Sequence, residues 1–97
     1  MSTINVEAVH FSVDKKLSEF IENKVEKLHQ FFDNIVHVDV TLKVDKKESH
    51  DNKIVEIKVQ VPGKDLFAKK QSNTFEASTD EAFEALKRQV DKHKGKV

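Results

Sequence analysis

The stretch "IVHVDVTLKVDKKESHDNKIVEIKVQV", residues 35–61, decides the fold because it alternates apolar and polar residues twice, on either side of a charged loop. In residues 35–45 every second residue from Val36 to Val44 is apolar. The residues between them are His37, Asp39, Thr41 and Lys43. Residues 54–61 alternate again, from Val55 to Val61. A period of two is typical of strands with one buried and one solvent-exposed face. We therefore predict two strands that form a hairpin, joined by the charged loop at residues 45–53.

Strands are also predicted on both sides of this hairpin. Pro62 and Gly63 suit the central positions of a type II turn, so residues 65–71, "DLFAKKQ", should return as a strand beside residues 54–61. Near the start, residues 3–8, "TINVEA", alternate in the same way and predict a short first strand.

Two helices are predicted between and after the strands. Asp14 is a candidate N-cap for the first, whose apolar stripe recurs every 3.6 residues. Its members are Leu17, Phe20, Ile21, Val25, Leu28, Phe31 and Phe32. For the second helix, "STDE" predicts a capping box between Ser78 and Glu81. The buried stripe that follows is Ala82, Phe83, Leu86 and Val90.

These elements predict one α+β domain covering residues 1–97, in the order β-α-β-β-β-α. Each helix and each strand has a single apolar face. We therefore expect a four-stranded mixed sheet with both helices packed on one side of it. The first two strands should run parallel, joined by a right-handed crossover through the first helix.

Composition argues against several classes of function. The chain has no Cys, only two Gly and five His without metal-ligand spacing, so we predict no catalytic residue, no metal site and no cofactor. It has no basic segment followed by an apolar run at its start, and no apolar run of membrane-spanning length. We expect a cytoplasmic protein that does not contact membranes.

Positive charge collects at the end of a chain whose net charge is zero. Residues 86–96, "LKRQVDKHKGK", contain five basic residues and one acid. In the first helix, Lys24 lies two turns after Leu17, within the apolar stripe, and Lys27 lies on its flank. Helix-dipole compensation and snorkelling would explain these positions without any ligand. Alternatively, a basic seam of Lys24, Lys27, Lys87, Arg88 and Lys92 would bind phosphate.

Three segments, "KVEKLHQFFDNI" at 24–35, "VDVTLKVDK" at 38–46 and "RQVDKHKGK" at 88–96, resemble the short form of the ribosome hibernation-promoting factors. This resemblance implies a β-α-β-β-β-α domain similar in appearance to double-stranded-RNA-binding domains. The resemblance covers essentially the whole chain. It implies a translation inhibitor of stationary phase and stress that occupies the messenger and transfer RNA channel of the small ribosomal subunit. The implied partners are this subunit and its rRNA, with a second hibernation factor left open, and the protein should be a monomer off the ribosome.

The resemblance and the charge pattern together give a set of residues predicted to contact rRNA phosphates. The matching positions are Lys24, Lys27, Arg88, Lys92, His93 and Lys94, and the charge pattern adds Lys69, Lys70, Lys87 and Lys96. Family members commonly have an acid, Met or Leu, and Tyr where this chain has Thr74, Phe75 and Glu76, so a contact made by that Tyr is not expected here. Because the sequence stops at Val97, without a further domain or long tail, we expect the short branch of the family.

Two other classes of binding protein compete with this interpretation. A single-strand RNA reader of the RRM type needs exposed aromatic residues on its sheet, and only Phe67 is expected there. A protein-interaction domain of the same fold that binds no nucleic acid is the remaining alternative. The dependence of affinity on salt distinguishes this alternative from RNA binding, because phosphate binding weakens steeply with ionic strength.

Overall fold

The computed structural model describes residues 3–31 and 34–94, with side chains described up to residue 89. Four strands and two helices follow the predicted order. They are β1 (Thr3–Ala8), α1 (Lys15–Leu28), β2 (His37–Val44), β3 (Lys53–Val61), β4 (Lys64–Ser72) and α2 (Phe75–Lys94). No helix among the described residues is long and apolar enough to cross a membrane.

The four strands form one mixed sheet in the order β1-β2-β3-β4. β1 runs parallel to β2, with Val6 opposite Val40. β2 and β3 are antiparallel, and β3 and β4 are antiparallel, as the two alternating stretches predict. The register places the buried apolar residues of β2, β3 and β4 on one face together with Val6 of β1, because side chains of paired residues point to the same side of a sheet.

Both helices cover that apolar face and enclose one core. The buried residues include Ile21 and Val25 of α1, Val40 of β2 and Leu86 of α2, all nearly inaccessible to solvent. Burial of such side chains stabilises the fold by about 1.5–3 kcal/mol each. The core is therefore built from the residues whose periodicity predicted the elements.

Helix α1 begins as predicted and ends earlier than its apolar stripe suggests. The Asp14 carboxylate accepts a hydrogen bond from the Leu17 N–H at 2.7 Å, as an N-cap does. After Leu28 the chain tightens, and the Phe31 N–H donates to the Leu28 carbonyl at 2.9 Å. Phe31 still packs against the core from this turn. Phe32, predicted on the same stripe, lies outside the described residues.

The turn between β3 and β4 contains a backbone conformation that favours glycine. Gly63 has φ of 87°, which is the left-handed region that the third residue of a type II turn requires. The preceding Pro62 suits the second position of such a turn. The predicted turn agrees with this geometry.

Helix α2 begins three residues before the predicted capping box, so the prediction that Ser78 is the N-cap is wrong. The helix starts at Phe75, and the Thr74 hydroxyl accepts a hydrogen bond from the Ala77 N–H at 3.0 Å. Ser78 is fully buried, and its hydroxyl donates to the Lys53 carbonyl at 2.7 Å. Stacking of Phe75 on another ring favours the earlier start, because it buries an aromatic side chain in the first helical turn.

The ends of the predicted β2 face are also corrected. Val36 and Val44 were expected on the buried side, yet they are 51% and 40% exposed, whereas Ile35 is buried. Val36 precedes the first residue of β2 and Val44 is its last residue, so neither has neighbours on all sides. Alternation along a strand gives the face of each residue, and coverage by the helices decides whether that face is buried.

The opposite face of the sheet has polar side chains that pair with one another. The imidazole of His37 bonds both the Thr3 hydroxyl and the Asp39 carboxylate, so it is more than the solvated strand residue that the sequence indicates. Lys43 donates to Glu56 at 3.0 Å. Phe67 is 51% exposed on this face, as expected.

Candidate nucleic-acid interface

The two helices lie side by side and run in the same direction. Phe11, just before α1, stacks on Phe75 at the start of α2, with ring centroids 5.3 Å apart. Beyond the other end of α1, Phe31 meets Phe83 edge to face at 6.4 Å. Residues later in or after α1 thus contact residues later in α2, which shows that the helices are parallel. The carboxyl-terminal end of α1 therefore lies beside the part of α2 that contains Phe83 and Lys87.

Lys24 lies between the helices, where its charge meets a carboxylate. Its ammonium is 2.8 Å from a carboxylate oxygen of Asp80, and its side chain is 27% exposed. The same ammonium lies 5.7 Å from the centre of the Phe20 ring and 5.9 Å from that of Phe83. Lys24 thus emerges from the apolar stripe of α1 towards α2, but it forms an ion pair there.

Lys27 and Lys87 are the two lysines of the basic seam for which the described residues contain no ion pair. Lys27 is exposed near the end of α1. The Lys87 ammonium lies 4.9 Å from the centre of the Phe31 ring, which is a cation–π contact. Because Phe31 follows α1 directly, this contact holds Lys87 beside the end of that helix. A phosphate that binds Lys27 or Lys87 would replace water or the contact with the Phe31 ring. It would not have to displace a carboxylate from either lysine among the described side chains.

Arg88 and Lys70 face a groove that also contains acids. The groove has a volume of about 230 Å³ between β4 and α2. Its lining residues are Lys70, Asp80, Glu81, Glu84 and Arg88. Three carboxylates against two cations make this groove a weaker attractor for phosphate than the sequence count of basic residues suggests.

The remaining predicted residues divide between the other sheet face and the end of α2. Lys69 projects from the face opposite to the helices, where its ammonium lies 4.0 Å from Glu56, so the structure does not bring it together with Lys70. Lys92, His93 and Lys94 belong to the last helical turns, and their side chains lie outside the described residues. Lys96 lies outside them altogether.

The sequence did not identify Asp80 of α2 as the partner of Lys24, nor the aromatic partner of Lys87. Asp80, Glu84 and Arg88 are spaced four residues apart, which places them along one line of the helix and could have been noticed. The contact between Lys87 and Phe31 has no comparable sequence pattern, because the two residues belong to different elements.

The fold and this pair of helices have counterparts among known proteins. Residues 4–97 match the family described as "Sigma 54 modulation protein / S30EA ribosomal protein", so the chain belongs to that family. This confirms the family resemblance seen in the sequence.

Proteins named ribosome hibernation promoting factor are similar along most of their length. The Escherichia coli K12 protein is 32% identical over 94 residues, which cover 97% of this chain and 95% of that protein. The Pseudomonas putida KT2440 protein is 30% identical over 93 residues, with 96% and 87% covered. A ribosomal subunit interface protein from Coxiella burnetii has the same fold, with a TM-score of 0.81 and 24% identity over 96% of this chain and 98% of that one.

Proposed function

We propose that this protein binds the small ribosomal subunit in the channel used by messenger and transfer RNA, and that basic residues of its helices contact rRNA phosphates. Occupation of the channel would exclude messenger and transfer RNA, inhibit translation and promote hibernation without any catalytic step. Membership of the S30EA ribosomal protein family and the names of the relatives support a ribosomal partner. Such a protein would work in the cytoplasm.

The observation that supports this proposal most is the common direction of the two helices. It brings Lys87 of α2 beside the end of α1 that contains Lys27, with no carboxylate paired to either among the described side chains. The basic residues from Lys92 to Lys96 follow directly in the sequence. Neutralising phosphates with several such cations releases condensed counterions, which is the main source of affinity for nucleic acid.

The predicted residues should contribute unequally to this binding. We expect Lys27 and Lys87 to contribute most, because neither is ion-paired to an acid among the side chains that the structure describes. Lys24 would have to exchange Asp80 for phosphate, and Arg88 lies in a groove with three carboxylates. Lys69 faces away from the helices and would contact RNA only at the periphery.

A pair of matched double variants tests the proposal. Lys27→Ala with Lys87→Ala removes two positive charges near the carboxyl-terminal end of α1. Lys15→Ala with Lys16→Ala removes the same charge from the exposed first turn of α1. Affinity for purified small subunits is measured by cosedimentation over a series of salt concentrations. The first variant should bind more weakly, with a salt dependence flatter by about 0.7–0.9 for each lost phosphate contact, and the second should resemble the parent.

Two results would contradict the proposal. Equal losses in both double variants would mean that only total charge matters. Binding that does not respond to salt would favour the protein-interaction domain without nucleic-acid contacts. Chemical footprinting of the small-subunit RNA tests the location separately, since protection outside the messenger and transfer RNA channel would contradict channel occupancy while leaving RNA binding intact.

A further inference from the structure

A concavity of about 280 Å³ lies at the opposite end of the molecule from the seam lysines, where β1 and β2 finish. We call it the strand-end pocket, lined by Val9, His10, Phe11, Lys43, Val44 and Lys46. Phe11 ties this pocket to the beginning of α2 through its stack on Phe75. Crevices beyond the carboxyl ends of parallel strands are frequent ligand sites in α/β sheets, and β1 and β2 are the parallel pair here.

The charge of this pocket differs from that of the chain as a whole. The protein has 17 basic Lys and Arg residues and 17 acids, yet two lysines and a histidine line the pocket without any carboxylate. Lys43 is paired with Glu56 at 3.0 Å, which leaves Lys46 and His10 as the unpaired polar groups of the lining within the part of the chain that the structure describes. By contrast, three acids line the groove between β4 and α2. Of these two concavities, the strand-end pocket is therefore the one that favours an anion.

The one acid next to the lining in sequence is held by other groups. The Asp45 carboxylate accepts hydrogen bonds from the Lys47 N–H at 3.0 Å and from the Gln71 side-chain amide at 3.1 Å. These contacts tie it to the loop and to β4, so it does not line the pocket.

The walls of the pocket are apolar and open to solvent. Val9 is 38% exposed and Val44 is 40% exposed, and they are two of the four large apolar residues that stand exposed in residues 3–31 and 34–89. Phe11 adds an aromatic side chain beside them. A ligand that covered these walls would remove apolar surface from water, which is favourable in proportion to the area covered.

His10 is fixed in an uncommon backbone conformation at the rim. Its φ of 67° is in the left-handed region, which costs a non-glycine residue free energy unless its surroundings impose it. The surroundings do so on both sides. The Val9 N–H donates to the Leu42 carbonyl at 2.9 Å, and Phe11 is stacked on Phe75. The imidazole is thereby attached to a backbone bend that is held by contacts on both sides.

We propose that the strand-end pocket binds a nucleoside phosphate, with the base against Val9, Phe11 and Val44 and the phosphate at His10 and Lys46. The base supplies a flat ring for the apolar walls, and the phosphate supplies the anion that the rim favours. The volume is near the lower end of the range for small-molecule sites, so the pocket accepts one nucleotide rather than an oligomer. That nucleotide is either free or an exposed nucleotide of an RNA chain.

Titration of the folded protein by two-dimensional NMR tests this proposal with AMP, adenosine, inorganic phosphate and octanoate as probes. AMP should shift the amide signals of the six lining residues. It should also bind more tightly than adenosine or phosphate, because only AMP has both a base for the apolar walls and a phosphate for the basic rim. Octanoate has an anion and an apolar body without a ring, and it should bind more weakly than AMP. A short single-stranded RNA distinguishes the sources: competition with AMP indicates an RNA nucleotide, and absence of competition indicates a free one.

Variants of exposed residues provide the controls. Lys46→Met should weaken AMP binding about two- to fivefold, as expected for loss of an exposed charge pair, whereas Lys47→Met next to it should leave the affinity unchanged. His10→Asn keeps a residue that tolerates the left-handed conformation and removes the imidazole, so it should also weaken binding. Equal effects of the two lysine variants, tighter binding of octanoate than of AMP, or AMP shifts outside the pocket would overturn the proposal. None of these measurements involves the ribosome, so their outcome is separate from that of the proposed function.

Discussion

Replacing Lys24 by Met separates the two roles that this lysine can have. Met keeps an unbranched apolar stem of similar length and removes the ammonium that bridges to Asp80. If Lys24 acts mainly as a link between the helices, the change should lower stability a little and ribosome affinity hardly at all. If it acts mainly as a phosphate ligand, affinity should fall while stability holds.

The geometry favours the first outcome and gives its size. The Lys24–Asp80 pair is 27% and 51% exposed, and such partly solvated pairs contribute about 0.2–1 kcal/mol. The contacts with the rings of Phe20 and Phe83, at 5.7 and 5.9 Å, are near the outer limit for cation–π attraction and add little. We expect a loss of at most about 1 kcal/mol, which in a domain of this size corresponds to a Tm lower by about 4–8 °C.

Urea and thermal unfolding of four proteins measure this loss: the parent, Lys24→Met, Asp80→Asn and the double variant. The coupling energy between the two positions should be positive and below about 1 kcal/mol. Lys27→Met is the matched control, because it removes a lysine charge one turn further along α1 without breaking an ion pair. It should keep the parent's stability and flatten the salt dependence of small-subunit binding. The reasoning would be refuted if Lys24→Met flattened that salt dependence as much as Lys27→Met and left stability unchanged.

Three further predictions concern the fold. Thr74→Ala should destabilise the protein by about 0.5–2 kcal/mol through loss of the α2 cap, while Glu81→Ala should cost under about 0.5 kcal/mol; the opposite order in urea unfolding would restore the capping box predicted from the sequence. Gly63→Ala should cost about 1–2 kcal/mol because φ is 87°, although no atom lies within 4 Å of the added methyl group; Gly63→Asn should cost less, and equal stability of parent and alanine variant would show that the turn relaxes. A hydrogen bond from the Lys47 N–H, with a second from Gln71, lowers the pKa of Asp45 below its usual range. Its ionised form therefore stabilises the fold above the pKa of the unfolded chain, and this contribution disappears as pH falls through the lower folded pKa. Unfolding curves of the parent and Asp45→Asn should converge in acid below about pH 4, and a constant difference down to pH 2 would contradict this assignment.

The sequence was sufficient for the elements and their order, and the reason is the regular spacing of apolar residues. From Val38 to Leu42 and from Val55 to Val59, alternation fixed which face of each strand is buried. The Asp14 cap and the Pro62–Gly63 turn were equally accessible, because each depends on residues within four positions of one another. Local geometry of this kind is set by backbone and side-chain stereochemistry that the sequence states directly.

Tertiary contacts decided the features that local patterns could not. Phe75 extended α2 towards the amino terminus because its ring stacks on Phe11, a residue more than sixty positions earlier. The same start turned Ser78 from a predicted cap into a buried donor to β3. A local capping pattern was overridden here because burial of an aromatic ring outweighs one exposed cap.

The candidate interface divides in the same way. The sequence by itself determined that basic residues accumulate on α2 and that Lys24 stands within an apolar stripe. Only the folded structure decided which charges remain available, since it pairs Lys24 with Asp80 and brings Lys87 over Phe31. Coulomb interactions depend on distances between atoms, and residues far apart in the chain acquire those distances only when the helices pack.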